Sequence, residues 1–153
     1  MSLVAAACAG FLLAVLWMDL IFDSQVLRHR GGKDLPESVL ASIAGYYHRA
    51  TTTSRPMSYL IAAVMAVLLA ALAFRWFERP GWLLGAATVL AGAPILLAAV
   101  RTVPNAKRLG SRVDGHAEQS RLARAICVDH LCCLTFMSAF FAMWIVANLG
   151  GTP

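Results

Sequence analysis

Charge is what this sequence has least of. Only 14% of its residues are Asp, Glu, Lys or Arg, while 59% are hydrophobic and the mean hydropathy is +0.69. A water-soluble domain carries about a quarter charged residues. A chain of 153 residues this poor in charge cannot cover a surface in water, so its solvent is lipid. Other absences narrow the function. No basic stretch interleaved with aromatics occurs, and no zinc-finger or helix-turn-helix spacing, which argues against nucleic acid despite the net charge of +5. Cys8, Cys127, Cys132 and Cys133 form no CxxC pair, so a redox dithiol is not expected and the thiols read as small apolar packing groups. There is no internal repeat, which disfavours alternating-access transport. No Glu-x-x-His repeat of the di-iron bundles is present. No Lys or Arg precedes Arg28, so the first apolar run lacks the basic start of a signal peptide and reads as a mature helix.

Four apolar runs are present instead, at about 3–22, 57–77, 82–100 and 128–149. Each matches the roughly 20 helical residues that cross a bilayer core of about 30 Å. The fold class expected is all-α: a single integral membrane domain over 1–153, built as a four-transmembrane-helix bundle. Eleven of the thirteen basic residues fall in the first and third loops and only Arg75 and Arg79 in the second. By the positive-inside rule the first and third loops are cytoplasmic and both termini face outside, across a plasma or inner membrane. Trp17 on one side and Trp76, Trp82 and Trp144 on the other suit an aromatic belt.

The first loop predicts an extra interfacial amphipathic helix at about 35–50, with Leu35, Val39, Ile43, Tyr46 and Tyr47 at helical spacing. Asp34 is its expected N-cap, with Pro36 in the first turn and Glu37 reaching back. Gly110 and Gly115 punctuate a third loop of helical turns running from Pro104 to Arg124. Ala62, Ala66 and Ala70, and the Gly81–Gly85 pair, predict close helix contacts within the bundle or in a homodimer. Pro94 is expected to kink the third span.

The polar residues gather at the cytoplasmic half. Asp19 and Asp23 share a face at the inner end of the first span, and Asp129 and His130 open the fourth. A charged Asp near the bilayer core costs about 2.5–3.5 kcal/mol on insertion scales, so such residues face inward toward partners. Three uses stay open. Asp19 and Asp23 could pair with Arg49, Arg55 or Arg101 and pin the bundle. A proton-handling or substrate-polarising site could form, with His130, Asp19 and His48 catalytic, Arg49 and Tyr47 toward substrate, and Arg101 and Asn105 at the same mouth. Asp19, Asp23, His48 and His130 could instead bind a single transition metal ion: iron, copper, manganese or zinc. Tyr46, Tyr47 and Tyr59 also suit interfacial anchoring.

The order of these features resembles the anthrone-oxygenase-like family of small four-helix membrane proteins. The resemblance lies in Thr102-Val103-Pro104-Asn105 at the end of the third span, in the basic segment from Arg121 to His130, and in the helix of the first loop. Thr102 stands where the family carries a first Asn. Asp129 and Cys132 stand where it carries Asn before, and Arg after, its His. The resemblance implies oxygenation of a polycyclic phenol by O₂ without an obvious cofactor, with Asn105 polarising the substrate and His130 taking a phenolic proton. Arg101 would steady the anion. The expected function is thus a membrane-embedded oxygenase-like enzyme on a small lipophilic aromatic substrate. A metal-dependent membrane enzyme and a non-enzymatic accessory or ligand-binding subunit are the alternatives. The implied partners are the bilayer, a small lipophilic molecule, and a second copy or a larger membrane protein.

Overall fold

The computed structural model describes residues 2–29, 31–32, 34–78 and 80–149, and every regular element among them is helical. In order these are α1 (Ser2–Asp23), α2 (Glu37–His48), α3 (Arg55–Glu78), α4 (Trp82–Leu97), α5 (Val103–Ser111) and α6 (His116–Leu149). A 3₁₀ segment, Ser24–His29, prolongs α1. Wide π turns at Arg49–Thr53 and Ala98–Thr102 follow α2 and α4. Four rods are long and apolar enough to cross a membrane: Leu3–His29, Arg55–Glu78, Trp82–Ser111 and His116–Ala147. The chain is therefore an all-α four-helix membrane bundle with an additional helix, α2, in its first loop.

α1 packs chiefly on α6 and then on α3, α4 packs on α6 and α3, and α2 packs on α5. Two apolar clusters result. One joins Ala5 to Leu12 of α1 with Leu68, Leu72, Ala91, Met137 and Phe140. The other joins Val26, Leu40, Ile43 and Tyr47 with Leu109, Leu122 and Ile126. Along α1 and α6, the stretch between the clusters holds Asp19, Asp23, Asp129 and His130. The site lies where the two cores meet.

The third loop does extend the spans as helical turns, the third rod running on past residue 100 through the π turn to Ser111. Several expectations need correction. α6 begins at His116, so Asp129 and His130 lie well inside it rather than at its head. Asp34 does not cap α2. Pro36 precedes its first residue, no side chain caps it, and Glu37 pairs with Arg112 instead of reaching back. The Pro36 carbonyl accepts the Val39 and Leu40 N–H groups. Gly110 is no punctuation. It sits inside α5, where an added Cβ would come within 2.8 Å of the His48 backbone nitrogen, so only glycine lets α5 touch α2 so closely. Ala62, Ala66 and Ala70 are exposed, Ala62 on the cavity wall, and a Cβ at Gly81 or Gly85 would meet nothing within 4 Å, so neither pattern makes a close helix contact within this chain. Trp144 is buried against Phe140 and is not part of an outer belt. Arg30, Lys33 and Arg79, which enter the charge asymmetry, lie outside the described residues.

Candidate functional site

Asp19 and Asp23 stand one turn apart on α1, and α2 answers them with two adjacent tyrosines. The Tyr46 ring stacks on Phe22 with centroids 4.1 Å apart, and its hydroxyl donates to Asp19 Oδ1 at 2.5 Å. The Tyr47 hydroxyl donates toward both oxygens of Asp23, at 2.8 and 2.9 Å. Among the described residues neither aspartate pairs with an arginine, contrary to the expected role of Arg49, Arg55 or Arg101. The physical reason is economy of charge. A tyrosine brings an O–H donor on an apolar ring, so it satisfies a buried carboxylate without a second ion to desolvate. Both phenols are pushed well above the ordinary tyrosine range, first by burial and then by the facing carboxylates. They therefore remain donors. The anchoring role expected of these two residues gives way to this one: Tyr47 is buried and Tyr46 half-buried.

His130 completes the group from α6. Its Nδ1 lies 2.6 Å from Asp23 Oδ2 and 3.4 Å from the Tyr47 hydroxyl. Asp23 is fully buried and His130 is 7% exposed. An ionised carboxylate only accepts, so the hydrogen is assigned to Nδ1 of His130. Nε2 is left as the acceptor and lies 3.7 Å from Asp19 Oδ2. That gap is too long for a hydrogen bond, and both atoms belong to residues that line a cavity. A buried aspartate that fixes the imidazole tautomer, leaving the other nitrogen free, is the arrangement by which histidine serves as a general base.

The cavity measures about 510 Å³, within the range of small-molecule sites. Asp19, Tyr47 and His130 form one part of its wall. Leu12, Ile61, Met65, Ile95 and Met137 supply much of the rest, and both π turns contribute, through Ala50, Thr51, Ala98, Ala99 and Thr102. π turns inside helices occur often at functional sites, because the extra residue opens the backbone locally. Here each opening faces the cavity.

The expected site residues thus divide. Asp19, Tyr47 and His130 line the cavity and Asp23 stands behind His130. His48, Arg49, Arg101 and Asn105 are not on its wall. Arg101 Nε instead lies 3.3 Å from Asp129 Oδ2, and Thr102 donates to the same oxygen. Among the described residues no group of three or more His, Cys, Asp and Glu is arranged to hold a metal ion. The donor chemistry explains this: Asp23 is committed to Tyr47 and to Nδ1 of His130, and His48 is exposed. Arg55, expected only as a partner for the aspartates, lies on the cavity wall, and Tyr46 and the cavity residues Lys107 and Cys133 were missed as site candidates. The available signal was two polar rings on an amphipathic loop helix opposite two carboxylates with no arginine on their own helix. Comparison with family models, with curated proteins and with solved structures returns no match.

Proposed function

We propose that the chain is a membrane-embedded enzyme in which His130 takes a proton from a lipophilic, phenol-type substrate held in the cavity. The observation that carries this reading is the placing of His130 on the wall of a largely apolar cavity, with Nδ1 2.6 Å from a fully buried Asp23 and Nε2 facing Asp19 across 3.7 Å. Proton removal in a water-poor site leaves an electron-rich anion. The reaction class we assign is oxygenation by O₂, in line with the resemblance to the anthrone-oxygenase-like proteins. The deprotonated anthrone-type ring gives electrons to O₂, one oxygen atom becomes the carbonyl oxygen of the ring methylene carbon, the other leaves as water with the two hydrogens of that carbon, and His130 returns its proton to the phenolate. We also infer that the first and third loops are cytoplasmic, from the charge asymmetry.

The test is oxygen consumption by the protein in lipid nanodiscs with anthrone-like phenols, for the native chain and for His130→Ala. The native chain is expected to consume O₂, and the variant, still monodisperse, to lose it. A folded variant that keeps full activity removes His130 from the chemistry. A second reading, ligand binding without turnover, is favoured by the apolar extent of the cavity. It would be supported by saturable binding of the same phenols with no O₂ uptake.

A further inference from the structure

Two cations on the cavity wall have no counter-charge among the described residues. Arg55 and Lys107 line the cavity, and neither makes an ion pair among the described residues. Arg75, Arg101, Arg108, Arg112 and Arg121 all pair with carboxylates. Both Arg55 and Lys107 are exposed, whereas His130 and Tyr47 are buried, so the cations mark the mouth and the base marks the depth. Arg55 also opens α3, and a helix N-terminus itself favours negative charge. Asp19, the carboxylate on the wall, is engaged by Tyr46 and faces His130.

We infer that the ligand is an aromatic amphiphile bearing a carboxylate or similar anion, which Arg55 and Lys107 hold at the mouth while its hydroxyl-bearing end reaches His130. The inference rests on the proposed function for its depth-to-mouth orientation. It adds a specificity rule: an anionic ligand is preferred over a neutral one of the same shape. A free amphiphile is meant, not a lipid headgroup.

The test is photolabelling in zwitterionic nanodiscs with 4-benzoylbenzoate and with its neutral counterpart, 4-benzoylbenzyl alcohol, with sites mapped by mass spectrometry. Benzophenones insert into nearby C–H bonds, and Met65 and Met137 lie on the wall. The acid is expected to label these positions about two- to thirtyfold more than the alcohol, the range for two exposed ion pairs. Arg55→Gln with Lys107→Gln should bring the two probes to parity, and Arg55→Lys with Lys107→Arg should restore the preference. Equal labelling in the native chain, unchanged in the double Gln variant, overturns the anion rule and leaves the base in the cavity standing. Labelling of the cavity by neither probe overturns both. Loss of the acid's preference over the double Gln variant when anionic phospholipid is added assigns the cations to lipid headgroups and overturns the free-ligand inference.

Discussion

Asp23→Asn separates the role of Asp23 as holder of His130 from its role as structural glue. The side chain keeps its shape but loses one acceptor. Asp23 now accepts from Tyr47 at 2.8 Å and from His130 Nδ1 at 2.6 Å. The asparagine oxygen can serve one of these donors, and its amide must face the other. Hydrogen bonds to a charged group are worth about 1.5–3 kcal/mol, so the variant loses about that much stability. An exposed control, Asp34→Asn, should change stability by about 0.5 kcal/mol or less. The sharper effect is on the imidazole. With an amide N–H pointing at Nδ1, the hydrogen moves to Nε2, and the nitrogen facing the cavity turns from acceptor to donor. The same exchange in a serine-protease triad costs about four orders of magnitude in kcat. Nitrogen-15 NMR of histidine-labelled protein reads the tautomer directly, with or without a substrate. A variant that keeps hydrogen on Nδ1 and matches the control in stability would refute the assignment of Asp23 as the group that orients His130.

Three further outcomes are expected. Gly110→Ala should destabilise by about 1–3 kcal/mol, the usual cost of overpacking, because its Cβ would meet the backbone of His48 and Tyr47. Weakened phenol binding would accompany the loss as Tyr47 shifts, and an unchanged unfolding midpoint would show that α2 and α5 are not so close. Arg101→Ala leaves the buried Asp129 with Thr102 alone and should cost about 1–3 kcal/mol, discounted because Arg101 is half exposed. Arg101→Leu with Asp129→Leu should recover most of it in a double-mutant cycle, and full additivity would deny the coupling. Tyr46 and Tyr47 are raised above the ordinary tyrosine value near 10. Their contribution to stability is fully present below that pH and is lost as pH rises above it, since the unfolded chain gives up protons that the folded chain keeps. An alkaline titration followed by tyrosinate absorbance should show these two phenols ionising only on unfolding.

The bundle was legible because apolar run length is a strong signal: the four runs coincide with four rods, and the amphipathic spacing found α2. The ends were not. Asp34 looked like a cap, yet Glu37 had a stronger partner in Arg112, far along the chain. The continuations to Ser111 and from His116 were expected as helical turns of the third loop, but where they stop was not legible, because basic helical turns outside a span carry no hydropathy signature. Within the site, Asp19, Asp23 and His130 stood out as ionisable groups at span depth. Their partners did not. A rule that pairs carboxylates with arginines points to Arg101, and that arginine went to Asp129 instead. Whether an alanine stripe faces a neighbour or lipid also depends on how each helix is rotated. Periodicity gives a face but not its direction, and Ala62 fell on the cavity wall while Ala66 and Ala70 stayed exposed.

The choice of tyrosine over arginine bears on the chemistry as well as the packing. An arginine beside Asp23 would neutralise it, and a cation arising on His130 would then face a spent counter-charge. Tyr47 satisfies the oxygens of Asp23 while leaving its charge intact. In the proposed reaction, a proton taken at Nε2 of His130 would place the positive charge between Asp23 on one side and Asp19 on the other. Preorganised charge of this kind needs no rearrangement as the proton moves. The same geometry explains why α2 belongs to the site and is not merely a linker. α2 carries the two hydroxyls, α5 holds it through Gly110, and the π turn after it shapes the cavity wall. A substitution that loosens α2 from α5 should therefore impair proton abstraction while the four spanning rods stay folded.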